Sequence, residues 1–147
     1  MKKQIFVSGR TELAGNHTDH QKGRLLASAV HFGHYAQCEA NGTNIVRVQS
    51  EGFKPFEVNL THLTLRTSEF GTPKSLIRGV VVAFKELGLD VGGFDARIKS
   101  TLTPGSGLSS SAAFSVLVGR MLSELFNDGK VDPEVIARAG QQAENKY

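Results

Sequence analysis

The chain has 147 residues, about the length of one domain, and its 39% hydrophobic and 21% charged residues exclude a disordered chain. The formal net charge of +3 is too mild to point to nucleic acid, and no apolar run approaches the ~18 residues of a membrane span. The first nine residues lack the apolar core of an export signal, and the single cysteine, Cys38, excludes an internal disulfide, so the expected compartment is the cytoplasm.

In chain order, the apolar run Ile5-Phe6-Val7 before Ser8-Gly9 predicts a strand entering a turn. A polar, glycine-punctuated loop is expected over residues 9–24. Residues 25–30 predict a buried strand, and 31–40 and 44–49 predict two more. Between those two lies Asn41-Gly42, the pair that a type I′ hairpin turn prefers because both central positions need positive φ. Phe56, Val58 and Leu60 alternate and predict a further strand. Helical period begins after Pro73, with Leu76, Ile77, Val80, Val81, Phe84 and Leu87 on one face; Thr72 suits the cap and Gly88 the stop. Phe94, Ala96 and Ile98 alternate as in a strand. Val116, Leu117, Met121, Leu122, Leu125 and Phe126 form a second helical stripe, and Asp132-Pro133 opens a third helix carrying Val135, Ile136, Ala139 and Ala143. The order predicts one α+β domain over 1–147, a mixed or antiparallel sheet with helices packed on one face.

The 16 glycines exceed the ~7% average, and two loops hold the informative ones. The first is Pro104-Gly105-Ser106-Gly107-Leu108-Ser109-Ser110-Ser111-Ala112, between the Phe94 strand and the second helix. Gly105 and Gly107 let backbone approach a ligand without a Cβ in the way. Ser109 onward would form a first helical turn whose N–H groups lack internal partners, which together with the helix dipole suits a phosphate. No lysine follows the glycines, so this is not a Walker A loop. A capped helix after a flexible turn explains the same residues, and loop chemistry alone leaves both readings open.

The second loop is Gly9-Arg10-Thr11-Glu12-Leu13-Ala14-Gly15-Asn16-His17-Thr18-Asp19-His20-Gln21-Lys22-Gly23. Arg10, Asn16, His17 and Asp19 supply the many directed donors and acceptors that a polyhydroxylated ligand requires, and Arg10 can balance phosphate charge. A solvated loop with Asx turns is the alternative.

Together the two loops resemble those of the GHMP small-molecule kinases, most closely the galactokinases. The family's sugar signature runs Gly-Arg-x-Asn-Leu-Ile-Gly-Glu-His-Thr-Asp-Tyr-Asn-x-Gly, and residues 9–23 match much of it. Its Gly-Leu-Ser-Ser-Ser-Ala motif is matched at 107–112, and residues 142–147 are similar to its Ala-Glu-His-x-Phe segment. The resemblance implies an ATP-dependent sugar kinase that uses Mg2+, transferring phosphate to a sugar hydroxyl, at C1 if the sugar is galactose. It implies that Arg10 faces the transferring phosphate and that Asn16, His17 and Asp19 hold the sugar. Pro104, Gly105, Ser106, Gly107, Leu108, Ser109, Ser110, Ser111 and Ala112 would wrap the ATP phosphates, with Ser110 and Glu144 at magnesium. Its partners would be a small-molecule sugar and ATP, with neither nucleic acid nor membrane.

Three departures qualify it. Asn16 stands where the family has Glu, which opens the identity of the sugar; Glu12 replaces an Asn and His20 a Tyr. The family's catalytic Asp, in a Gly-x-x-Asp-Gln segment, falls beyond Tyr147, as does the C-terminal half that closes over the substrates. The chain is therefore expected to be the N-terminal half of such an enzyme and inactive alone. A kinase for a different sugar and a non-catalytic sugar- or nucleotide-binding module or sensor are the alternatives. Zinc is not expected at His31 and His34, because residues three apart on a strand point to opposite faces. Cys38 reads as a buried small hydrophobe, and the Asn-x-Thr sequences at 16, 41 and 59 as chance glycosylation matches.

Overall fold

The alternating apolar residues build one sheet, in a computed structural model that describes residues 1–15, 22–64 and 66–147. Its strands are β1 (Lys3–Ala14), β2 (Leu26–Ala40), β3 (Ile45–Ser50), β4 (Phe56–Asn59) and β5 (Phe94–Ser100), in the spatial order β1-β2-β5-β3-β4. Pairing is antiparallel except between β3 and β5, which run parallel, so the sheet is mixed. Helices α1 (Pro73–Glu86), α2 (Ser110–Phe126) and α3 (Pro133–Lys146) complete the α+β architecture.

The period-2 pattern decides which face the helices cover. Ala36, Cys38, Val46, Val48, Val58, Ala96 and Ile98 pack in one core cluster with Ile77, Val80, Val81 and Phe84 of α1 and Leu117, Val118, Met121 and Leu122 of α2. Burying each large side chain of this set contributes roughly 1.5–3 kcal/mol. On the other face Phe6 and Tyr35 pair with ring centroids 4.5 Å apart and stay partly exposed.

The helix ends follow the expected chemistry. Thr72 accepts from the Ser75 N–H, Pro73 opens α1, and Gly88 adopts a left-handed φ of 72° after its end. Asp132 accepts from the Glu134 N–H at 2.7 Å to start α3.

Three strand expectations change. Residues 9–14 are strand rather than loop: Arg10, Thr11 and Glu12 pair with Ala29, Ser28 and Ala27, with register shifts between Ser8 and Arg10 and between Glu12 and Ala14. Residues 26–40 form one continuous strand, and its first residues are exposed rather than buried, since β5 pairs only with 34–40. The Asn41-Gly42 turn joins no hairpin, because β5 lies between β2 and β3. Asn41 instead ties β2 to β5: its N–H donates to the Gly93 carbonyl at 3.2 Å and its Nδ2 to Asp95 Oδ1 at 2.8 Å. Its Oδ1 accepts from both the N–H and the hydroxyl of Thr43, and Asn59 does the same with Thr61. Both Asn-x-Thr sequences are therefore Asx turns.

Candidate functional site

The glycine–serine loop leaves β5 and enters α2 pinned to the first two strands. At its start, Thr101 donates its N–H to the Gly33 carbonyl at 3.0 Å, and its Oγ1 accepts from the Gly33 N–H at 2.9 Å. In its middle, the Leu108 carbonyl accepts from the Arg10 N–H at 3.1 Å. That approach needs glycine at position 9, where a Cβ would lie 2.6 Å from the Leu108 oxygen and 2.7 Å from Leu102 Cδ2. At its end, Ser110 gives its carbonyl to His34 Nε2 at 3.0 Å.

The other side of the loop is open. Pro104, Gly105, Ser106 and Gly107 are exposed, and a Cβ built on Gly105 or Gly107 would meet nothing within 4 Å. Gly105, Gly107 and Ser109 have φ of 77°, 75° and 57°, so left-handed residues alternate along the loop. Alternation of this kind can turn N–H groups toward one concavity, the arrangement that receives anions, while within this loop the Ser106 N–H is taken by the Thr103 carbonyl at 3.1 Å. Ser109 holds the N-cap position of α2 without a side-chain capping bond, so its own hydroxyl does not compete for the first-turn N–H groups. A non-glycine residue in the left-handed region costs roughly 1–2 kcal/mol.

Among the described residues, a carboxylate reaches this helix end. Ser111 Oγ donates to Glu144 Oε1 at 2.6 Å, joining the first turn of α2 to the last turn of α3. Close packing of the two helices makes this possible, as Gly119 faces Ile136 where a Cβ would stand 2.7 Å from Cγ2. Of the residues expected at magnesium, the structure thus brings Glu144 to Ser111 rather than to Ser110. Ser110 lies one position earlier on α2 and is half-buried, whereas Ser111 is exposed. A hydroxyl and a carboxylate are hard oxygen donors of the kind magnesium takes beside phosphate oxygens, so this pair fits the ion.

Arg10 projects from β1 on the same side as Glu12, two residues on, and its Nη1 donates to Glu12 Oε1 at 2.7 Å. The Glu12 that departs from the family pattern thereby braces the guanidinium. Asn16, His17 and Asp19, like His20, lie outside the described residues.

Other polar groups serve the frame. Arg78, buried to 4% exposure, donates to Glu69 Oε2 at 2.8 Å and to the His62 carbonyl. That hydrogen bond, with the Arg78 charge, holds the Glu69 carboxyl below its ordinary pKa. Cys38 is buried in the sheet, and burial first, then the Glu124 charge, pushes its thiol up to about 11. His31 stacks on Phe32 while His34 lies buried under α2, so the two imidazoles diverge. Among the described residues no three His, Cys, Asp or Glu gather as metal ligands, and no helix is long and apolar enough to cross a membrane. Sequence reasoning missed His34 and Thr101, whose partners are backbone groups remote in the chain and leave no local pattern.

Residues 75–147 match the family model for the GHMP kinases N terminal domain, and residues 3–40 match that for the galactokinase galactose-binding signature. The galactokinase of Clostridium tetani is 30% identical over 145 residues, covering 99% of this chain and 37% of that protein. The galactokinase of Lacticaseibacillus casei is 34% identical over 151 residues, covering 97% of this chain and 37% of that protein. The chain thus spans about 37% of the length of these curated relatives. Among solved structures, Lactococcus lactis galactokinase complexed with galactose superposes with a TM-score of 0.90 at 30% identity, covering 99% of this chain and 38% of that one. Methanococcus jannaschii mevalonate kinase shares the fold, with a TM-score of 0.81 at 19% identity over 99% of this chain and 47% of that one.

Proposed function

The chain belongs to the GHMP kinase family as a galactokinase-like N-terminal part, and on that premise we propose that it serves an ATP-dependent sugar kinase, with galactose as the first candidate substrate. The observation that carries this reading is the loop 101–110, pinned on its inner side at Gly33, Arg10 and His34 and open on the side where left-handed residues alternate. A rigid inner side and an unobstructed outer side are what a polyphosphate requires of a loop that binds through backbone N–H groups.

In this reading Pro104, Gly105, Ser106, Gly107, Leu108, Ser109, Ser110, Ser111 and Ala112 receive the ATP phosphates. Glu144, with Ser111 or Ser110, would hold Mg2+, which when bound neutralises charge on the phosphate oxygens. Arg10, braced by Glu12, lies on the strand that touches the loop and would stabilise the phosphoryl group as it moves. Asn16, His17 and Asp19 would take the sugar hydroxyls. Transfer of a phosphoryl group asks the protein mainly for positioning and charge stabilisation, so rigidity at the loop is itself catalytic capital. The γ-phosphoryl would pass from ATP to the sugar hydroxyl, the P–O bond to ADP breaking as the new one forms and the hydroxyl proton leaving to a base.

We assign that base to the family's Asp, outside these 147 residues, and the enclosing half of the site to the C-terminal GHMP domain. The site of action is the cytoplasm, where ATP and free sugar meet. Asn16 favours a second reading, a kinase of the same type for a sugar other than galactose. A panel of sugars tested with the full-length protein for ATP-dependent ADP release separates the two. Release with galactose supports the first, release with another sugar the second, and release with none overturns both.

A further inference from the structure

We infer that His34 is a positioning residue for the phosphate loop, its Nε2–H holding the Ser110 carbonyl so that the first turn of α2 presents its N–H groups to the loop side. The inference rests on the kinase reading above and adds a residue outside the two loops at 9–23 and 104–112. His34 lies on β2 two positions before Ala36, on the core face, and only 6% of it is exposed. Its ring stands edge-on to Phe114 of α2 at a centroid distance of 6.1 Å. A carbonyl only accepts, so the 3.0 Å contact with Ser110 places a hydrogen on Nε2. The other nitrogen, Nδ1, is buried without a hydrogen-bond partner among the described residues.

An apolar side chain would fill this place against Phe114 without leaving a buried nitrogen unpaired. What the imidazole adds is therefore the bond to Ser110. A trans peptide directs its N–H opposite its C=O, so drawing the Ser110 carbonyl inward directs the Ser111 N–H away from His34. The neighbouring residue Gly33 clasps Thr101 at the other end of the loop through both its N–H and its carbonyl. Two consecutive residues of β2 thus hold the two ends of one loop, and His34 is the one that does so with a side chain.

The test is steady-state kinetics of the full-length protein with ATP, magnesium and galactose, comparing the unmodified enzyme with His34→Gln, His34→Asn and His34→Leu. The Gln amide nitrogen falls near the position of Nε2, and the Asn amide nitrogen nearer that of Nδ1. We expect KM for ATP to rise roughly 5–10-fold in His34→Asn and His34→Leu, the effect of one lost neutral hydrogen bond. KM for galactose should stay within about 2-fold, and His34→Gln should restore most of the ATP affinity. A packing role would instead lower the melting temperature and leave KM for ATP alike in all variants, and that result overturns the inference while leaving the kinase reading intact. Should His34→Leu fail to fold, the contrast between Gln and Asn decides alone. An unmodified protein that phosphorylates no sugar removes the kinase reading and this inference with it.

Discussion

The Arg10 N–H donates to the Leu108 carbonyl at 3.1 Å, tying the strand that carries the arginine to the loop that carries the glycines. The two motifs lie far apart in sequence, and this backbone bond brings them side by side. It also couples their fates, since whatever displaces Leu108 moves the backbone from which Arg10 projects.

Gly9→Ala tests that coupling. The added methyl would meet the Leu108 oxygen at 2.6 Å and Leu102 Cδ2 at 2.7 Å, and the first is backbone that cannot turn aside. We expect a loss of about 1–3 kcal/mol in denaturant unfolding, as for overpacking elsewhere, together with a higher KM for ATP. Gly105→Ala has open space around it, so its smaller cost should come from its left-handed backbone alone, about 1 kcal/mol.

The Ser111–Glu144 bond sets a second expectation. Glu144→Gln should weaken the magnesium dependence of turnover by roughly 10–100-fold, read from a magnesium titration at fixed ATP. Ser111→Ala should produce part of that effect, and comparison with Ser110→Ala shows which hydroxyl serves the ion. Equal loss in the two serine variants would count against the pairing seen here.

Cys38 gives a prediction in pH. Its thiol is raised from 9.0 to about 11 in the fold, so between those values the folded state holds a proton that the unfolded state has released. Stability from this group is complete below about pH 9 and is lost as pH rises through 11, by about 3 kcal/mol at most. Cys38→Ala should flatten that part of the stability curve. The native thiol should also resist alkylation at pH 8, and labelling should appear on unfolding.

Arg78 and Glu69 supply the opposite sign. The Glu69 carboxyl is held below its ordinary value by the hydrogen bond from Arg78, so its contribution is present above pH 4.5 and fades as pH falls below that. Arg78→Met should remove most of this acid dependence, leaving the part due to the Arg66 and Lys74 charges, and cost about 2–3 kcal/mol, because it leaves the Asn59 and His62 carbonyls and the Glu69 carboxylate without their Arg78 donor. Urea titrations at pH 7 and pH 4 measure both effects.

Much of this architecture was legible before the structure. The three helices followed from apolar stripes at helical spacing, with Thr72-Pro73, Gly88 and Asp132-Pro133 marking their ends, since these signals are local. The strands were found, but their neighbours were not. Asn41-Gly42 carries the chemistry of a hairpin turn, yet β5 occupies the place beside β2, a choice made by residues fifty positions further on. Residues 9–14 looked like loop because polar side chains and flanking glycines interrupt the apolar alternation, while the strand is held through their backbone. Glu12 read as a departure from the family pattern, and only the fold shows it bracing Arg10. His34 was invisible for a simpler reason, that its partner is a carbonyl with no side-chain identity.

The measurement that bears most directly on the central claim is phosphorus NMR of the full-length protein incubated with galactose, ATP and magnesium, with the 147-residue chain run alongside. We expect a sugar phosphate signal to grow as ATP converts to ADP in the full-length reaction, and none to appear with the 147-residue chain. Galactose left unmodified and ATP intact in the full-length reaction, together with no phosphate transfer to any other sugar of the panel, would contradict the account.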